Sequence, residues 1–154
     1  MREILFKAKV KWNGNHLFAG DWIEGFFVKS PHDIILSNNF PSVEWVDSIQ
    51  YYDKNNGTKW LYQTTQIDPE TLCQYTEVDQ NYDGIKIFDG DKLDFCVFDC
   101  NGNDKAYIGY VVYTYGTYLV IDINDEENLW ELGWIMAQDD EAKVIGNIHD
   151  KESD

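Results

Sequence analysis

Short runs of alternating apolar and polar residues, cut by glycine, asparagine and proline, constrain this chain most. Period two suits a half-buried strand and does not gather apolar residues on one side of a helix. In the first run Ile4, Phe6, Ala8 and Val10 fall on one face, and Glu3, Leu5, Lys7, Lys9 and Lys11 mostly on the other. Asn13-Gly14-Asn15 breaks that run, and a second predicted strand covers 22–29. Ser30-Pro31-His32-Asp33 reads as a turn, because proline donates no ladder hydrogen bond and restricts its predecessor. Predicted strands 43–52 and 59–66 flank Asp53-Lys54-Asn55-Asn56-Gly57, a hairpin signal, since asparagine and glycine accept positive φ cheaply.

At Ile67-Asp68-Pro69-Glu70-Thr71 the pattern changes to one turn of helix, with Asp68 as cap, Pro69 at the first position and Glu70 at the positive end. Short strands follow over 72–76, 85–88, 92–98, 107–114 and 117–123, with loops at 79–84 and 99–104 and a turn at Tyr115-Gly116. Such a meander predicts a small barrel or curled sheet. Residues 125–138 read as the one helix, with Asp125 as cap, Glu126 and Glu127 in the first turn, and Leu129, Leu132 and Ile135 on one face. A strand over 143–148 and a charged, frayed tail over 150–154 complete the reading.

At 154 residues, 44% apolar and with 24 Phe, Trp and Tyr, the chain has enough apolar mass to bury a core. Asp+Glu number 28 against 12 Lys+Arg, a net charge of −16, which disfavours direct binding to nucleic acid because no cations are to spare for phosphates. The charge is uneven. Residues 1–67 carry seven basic and seven acidic residues and 68–154 carry five and twenty-one, so the whole excess lies in the second part. This step predicts two subregions of one compact unit, a charge-neutral β region over 1–67 and an acidic, barrel-like β region over 68–154.

Met1 to Lys7 carries charges where a signal peptide needs an unbroken apolar stretch. The longest run without Asp, Glu, Lys or Arg, 106–121, is interrupted by Gly109 and Gly116 and is too short to span a bilayer. Cys73, Cys96 and Cys100 are too few for a disulfide framework and odd in number. Together these features predict a cytoplasmic protein that does not enter a membrane.

Four segments carry a family resemblance: Met1-Arg2-Glu3-Ile4, Trp22-Ile23-Glu24-Gly25, Ile67-Asp68-Pro69-Glu70-Thr71-Leu72-Cys73-Gln74-Tyr75-Thr76 with Ile87-Phe88-Asp89-Gly90-Asp91, and Lys143-Val144-Ile145-Gly146-Asn147-Ile148. In this order they resemble the YopX family of small phage and prophage proteins. The chain departs from the family pattern at Thr76-Glu77-Val78, where Thr-Gly-Leu is usual, and 30–65 has no counterpart. The resemblance implies a cytoplasmic, mainly β protein with an SH3-like or barrel-like C-terminal part, without an established activity or catalytic residues. On their chemistry the shared residues are architectural: Gly90 and Gly146 suit tight backbone positions, Asp68 and Pro69 fix a turn, and Asp89 and Asp91 flank the start of a strand.

Chemical constellations are sparse. Asp79, Asn81 and Asp83, followed by Gly84, match the first half of a calcium loop, but the twelfth position is Gly90 in place of a bidentate glutamate, so an acidic hairpin turn is the simpler reading. Asp122, Asn124 and Glu126 also alternate, and read as a capped helix start. Cys96 and Cys100 lie four apart on a predicted strand, both on one face with Phe98 between them, and read as buried, unreactive thiols. His16, His32 and His149 offer no paired zinc motif, and no nucleophile elbow, phosphate loop or His-Glu-x-x-His helix occurs. Tyr107, Tyr110, Tyr113, Tyr115 and Tyr118 crowd one hairpin, where core packing or a protein-binding surface fits better than base stacking.

The sequence therefore predicts no catalytic, metal or cofactor site. With the phage origin that the resemblance implies, it predicts a mainly β accessory protein that is not an enzyme and binds a host or phage protein through an acidic surface centred on Asp122, Asp125, Glu126 and Glu127, in its sharpest form as a nucleic-acid mimic. The alternative is a metal-dependent enzyme using carboxylates near 79–91 or 122–127. Direct nucleic-acid binding through Lys7, Lys9 and Lys11 ranks last, and exposed β edges leave self-association open.

Overall fold

A computed structural model describes residues 4–14, 17–35, 41–52 and 62–150. The expected turn at Asp53 to Gly57 and most of the charged tail lie outside them. The chain is mainly β, with antiparallel sheets and one short α-helix, and divides into two compact units, Met1–Gln74 and Tyr75–Asp154.

In the first unit the strands are β1 (Phe6–Lys9), β2 (Trp22–Ile35), β3 (Pro41–Tyr52), β4 (Tyr62–Gln66) and the start of β5 (Cys73–Asp79), in the order β4-β3-β2-β1-β5. Alternation puts Ala8 and Val10 into the core beside Ile23, Ile49, Tyr51 and Ile67, with Phe6 and Phe27 packed against it. Ile4, at the run's end, stays exposed. On the other face of β1 the ammonium groups of Lys7 and Lys9 lie 4.8 and 5.4 Å from the Trp22 ring centroid.

The turn expected at Ser30-Pro31-His32-Asp33 does not form. β2 continues through it to Ile35, in register with β3 from Phe26↔Gln50 to Ile35↔Pro41. β1 flanks β2 only from Trp22 to Gly25, so beyond Gly25 one edge of β2 is open among the described residues, and proline is tolerated on such an edge. The helical turn does form, as a 3-10 turn over Pro69–Thr71. The Asp68 carboxylate accepts a hydrogen bond from Glu70 N at 3.1 Å, and the Thr71 hydroxyl donates to Asp68 O and accepts from Lys9 N, tying the turn to β1.

In the second unit the later part of β5 pairs with β6 (Lys86–Phe88). A five-stranded sheet is built from β7 (Asp91–Phe98), β8 (Asp104–Thr114), β9 (Thr117–Asp122), β10 (Asp125–Glu131) and β11 (Lys143–Asn147), in the order β10-β9-β8-β7-β11. Consecutive hairpins give the meander, and β11 returns beside β7. Helix α1 (Leu132–Gln138) sets Leu132, Ile135 and Met136, spaced i, i+3, i+4, into a core with Leu93, Phe95, Val111 and Val120. Phe95, Tyr107 and Trp130 complete it, their ring centroids 4.7 to 5.9 Å apart.

The helix expected over 125–138 is a correction: its first half is strand β10. Leu129, Trp130 and Glu131 pair with Ile121, Val120 and Leu119. Trp130 reaches the aromatic core while Leu129 and Glu131 stay exposed, so period two prevails until Leu132. The carboxylates read as helix caps make a hairpin turn, Asp122 accepting from Asn124 N and Asn128 Nδ2, and Asp125 from Glu127 N. Glu131 stands at the helix start without a side-chain cap.

Among the described residues of the segments that carry the resemblance, Gly90 and Asp91 hold backbone and core in place. Gly90 has φ of +82°, donates to Val111 O and accepts from Ile148 N. Asp91 is fully buried, its carboxylate accepting from Phe88 N at 2.8 Å and Asn147 Nδ2 at 2.9 Å. Glu77 has φ of +67° at a register shift between β5 and β6.

Candidate functional site

In the second unit a cluster of charged side chains surrounds an open groove of about 560 Å³. It follows the end of β7 past the point where β11 stops. β11 pairs with Asp91 to Asp94, so from Phe95 onward that edge of β7 has no neighbouring strand among the described residues. Side chains from the end of α1 occupy it instead: Asp139 accepts from Cys96 N at 2.8 Å, Gln138 Nε2 donates to Cys96 O at 2.6 Å, and Gln138 Oε1 accepts from Phe98 N at 3.3 Å.

Three pieces of chain bring carboxylates to this edge. The turn after α1 supplies Asp139, Asp140 and Glu141; β7 and β8 supply Asp94 and Asp104; the turn after β5 supplies Asp83. Among the described residues, Lys143 is the only basic one lining the groove. Phe98, 46% exposed, and Tyr82, 95% exposed, lie along it. A second hollow of about 410 Å³, lined by Lys105, Tyr107, Ile108, Asp122 and Asn124, shares Asp94 with it.

This environment governs Cys96. Burial raises its thiol pKa above the ordinary 9.0, and the nearby Asp139, Asp104, Asp94 and Glu141 carboxylates raise it further. The thiol stays protonated at neutral pH, the reverse of what a nucleophilic cysteine requires. Cys73 is buried and donates to Thr71 O. The reading of Cys96 and Cys100 as buried thiols on one strand face needs correction: Cys96 is half-buried, and Cys100 is exposed in the turn beyond β7, where the strand has ended.

The Asp79–Gly84 segment forms the acidic turn expected. Asp83 accepts from Ile85 N and Gln80 Nε2, Asn81 donates to Met136 O, and Asp79 accepts from the Tyr75 hydroxyl. The Tyr75 phenol is pushed up to about 12 by burial and by Asp79. Among the described residues, no three His, Cys, Asp or Glu side chains gather so as to hold a metal ion.

Of the candidate surface Asp122, Asp125, Glu126 and Glu127, the structure leaves the last three exposed at the start of β10, where the register shifts, and buries Asp122, whose carboxylate holds the turn between β9 and β10. The tyrosines divide: Tyr107 and Tyr118 pack on the core, Tyr110 is half-buried, and Tyr113 and Tyr115 are exposed. The groove was not foreseen. Its one sequence signal was the acidic run Asp139-Asp140-Glu141; that Asp94 and Asp104 join it depends on strand register.

The chain is thus a mainly β protein bearing an acidic, aromatic-flanked groove, with no helix among the described residues long and apolar enough to cross a membrane. Comparison with family models, curated proteins and solved structures finds no match.

Proposed function

We propose that this is a non-enzymatic binding module, a phage- or prophage-derived cytoplasmic accessory protein, that captures a basic partner protein through the acidic face of its second unit. The observation that carries the reading is the groove itself, where six carboxylates face one lysine beside exposed Phe98 and Tyr82. Opposed potentials of this kind speed encounter and select partners by charge, while aromatic side chains supply contact area. The raised Cys96 pKa and the use of Asp79, Asn81 and Asp83 in hydrogen bonds to Tyr75, α1 and their own turn favour binding over catalysis.

The test is affinity capture from host lysate at about 50 mM and about 500 mM salt, a range over which exposed charges become screened. The wild type is compared with a groove variant, D104N/D140N/E141Q, and a turn variant, D125N/E126Q/E127Q. A partner retained at low salt, lost at high salt and lost by the groove variant is the expected result. Release of that partner by added DNA would give the module the narrower role of a nucleic-acid mimic. Identical captures by wild type and both variants would overturn the reading.

A further inference from the structure

We infer that the groove takes its partner as a strand: an extended segment rich in Lys or Arg adds to the edge of β7 at Cys96 O and Phe98 N, displacing the Gln138 carboxamide while buried Asp139 keeps its bond from Cys96 N. This rests on the proposed binding role and specifies its mode.

Along a strand, alternate residues direct N–H and C=O to the same edge, and Cys96 and Phe98 direct theirs to the side that β11 vacates after Asp94. An open edge of this kind is a template for another chain. Here two of the edge's polar groups are held by one side chain: the Gln138 carboxamide donates to Cys96 O and accepts from Phe98 N, bonds that two successive peptide groups of a neighbouring strand would make, while Asp139 holds Cys96 N. Gln138 sits at the last turn of a seven-residue helix, so exchanging it for a real strand disturbs no β pairing. The edge borders the groove of about 560 Å³, which Phe95, Cys96 and Phe98 help to line. Strand addition takes affinity from main-chain bonds and specificity from alternate side chains. Asp104, Asp140 and Glu141 are exposed along the groove, so charge complementarity selects a cationic segment.

Fluorescence anisotropy with a labelled, acetylated Lys-Val-Lys-Val-Lys-Val peptide tests this, beside the same peptide N-methylated at alternate amides. Methylation keeps the charge and removes the strand donors. About tenfold weaker binding of the methylated peptide is expected, the scale of one or two net hydrogen bonds. Q138A, which removes the competing carboxamide, is expected to bind the plain peptide several-fold more tightly. Equal binding of the two peptides to wild type, with no gain in Q138A, would overturn strand addition while leaving charge-driven capture standing. Binding of neither peptide, alongside a salt-sensitive partner from lysate, would also reject the strand mode without touching the binding role.

Discussion

Glu77 sits in a conformation that crowds its Cβ against the following carbonyl, and that costs about 1 kcal/mol for a residue other than glycine. The Thr76 hydroxyl holds the kink by donating to Ile87 O at 2.7 Å and accepting from Val78 N at 3.1 Å. Glu77→Gly is therefore expected to raise stability by up to about 1 kcal/mol, and Glu77→Val to lower it by about 1–2 kcal/mol. Urea denaturation of the three proteins measures both; a less stable glycine variant would show that the glutamate side chain contributes more than the strain it causes. Cys96 offers a second test at this scale. With its pKa raised by burial and by four nearby carboxylates, its alkylation by iodoacetamide should level off above pH 9.0 and lag that of exposed Cys100 at pH 8. Mass spectrometry resolves the two sites, and Asp139→Asn, which keeps an oxygen for Cys96 N, should speed Cys96 alone.

Within elements, close packing gives the sharpest expectations. A Cβ at Gly109 would meet Val120 Cγ1 at 2.6 Å and Ile121 O at 2.7 Å, so Gly109→Ala should cost about 1–3 kcal/mol by overpacking the β8–β9 pair. Ile135→Ala, at a fully buried position of α1, should cost about 2–5 kcal/mol. Thermal unfolding checks both, and a neutral Gly109→Ala would mean that the pair can part without penalty. Strand alternation was legible wherever only one face meets a core, as at Ala8 and Val10, and the Asp68-Pro69 turn was legible because its cap is local. Asp125 to Glu131 was misread because Asp-Glu-Glu before leucines satisfies the rules for a helix start, and only the pairing with β9 decides otherwise. Pro31 was misread because its tolerance depends on which neighbours its strand lacks. The groove was illegible for the same reason: its carboxylates come from three separate pieces of chain, and it lies where β11, which begins at Lys143 opposite Asp94, does not reach the end of β7.

At the scale of the whole molecule, twenty-one acidic and five basic residues between 68 and 154 repel one another in the folded state more than in an expanded chain. Screening should relieve this, since the Debye length falls from about 10 Å at 0.1 M salt to about 3 Å at 1 M. The melting temperature of the intact protein is therefore expected to rise by a few degrees between about 0.05 and 0.5 M sodium chloride. The groove variant D104N/D140N/E141Q loses three exposed charges from one place, so it should start higher at low salt and gain less. Differential scanning calorimetry at four salt concentrations gives both slopes. Set beside lysate capture, the same variant separates two roles for this charge. A variant that is more stable but no longer captures a partner would mean that the groove carboxylates persist at a cost in stability because they bind. A variant with unchanged stability and unchanged capture would mean that they only solvate the surface, and would remove the ground for a docking site there.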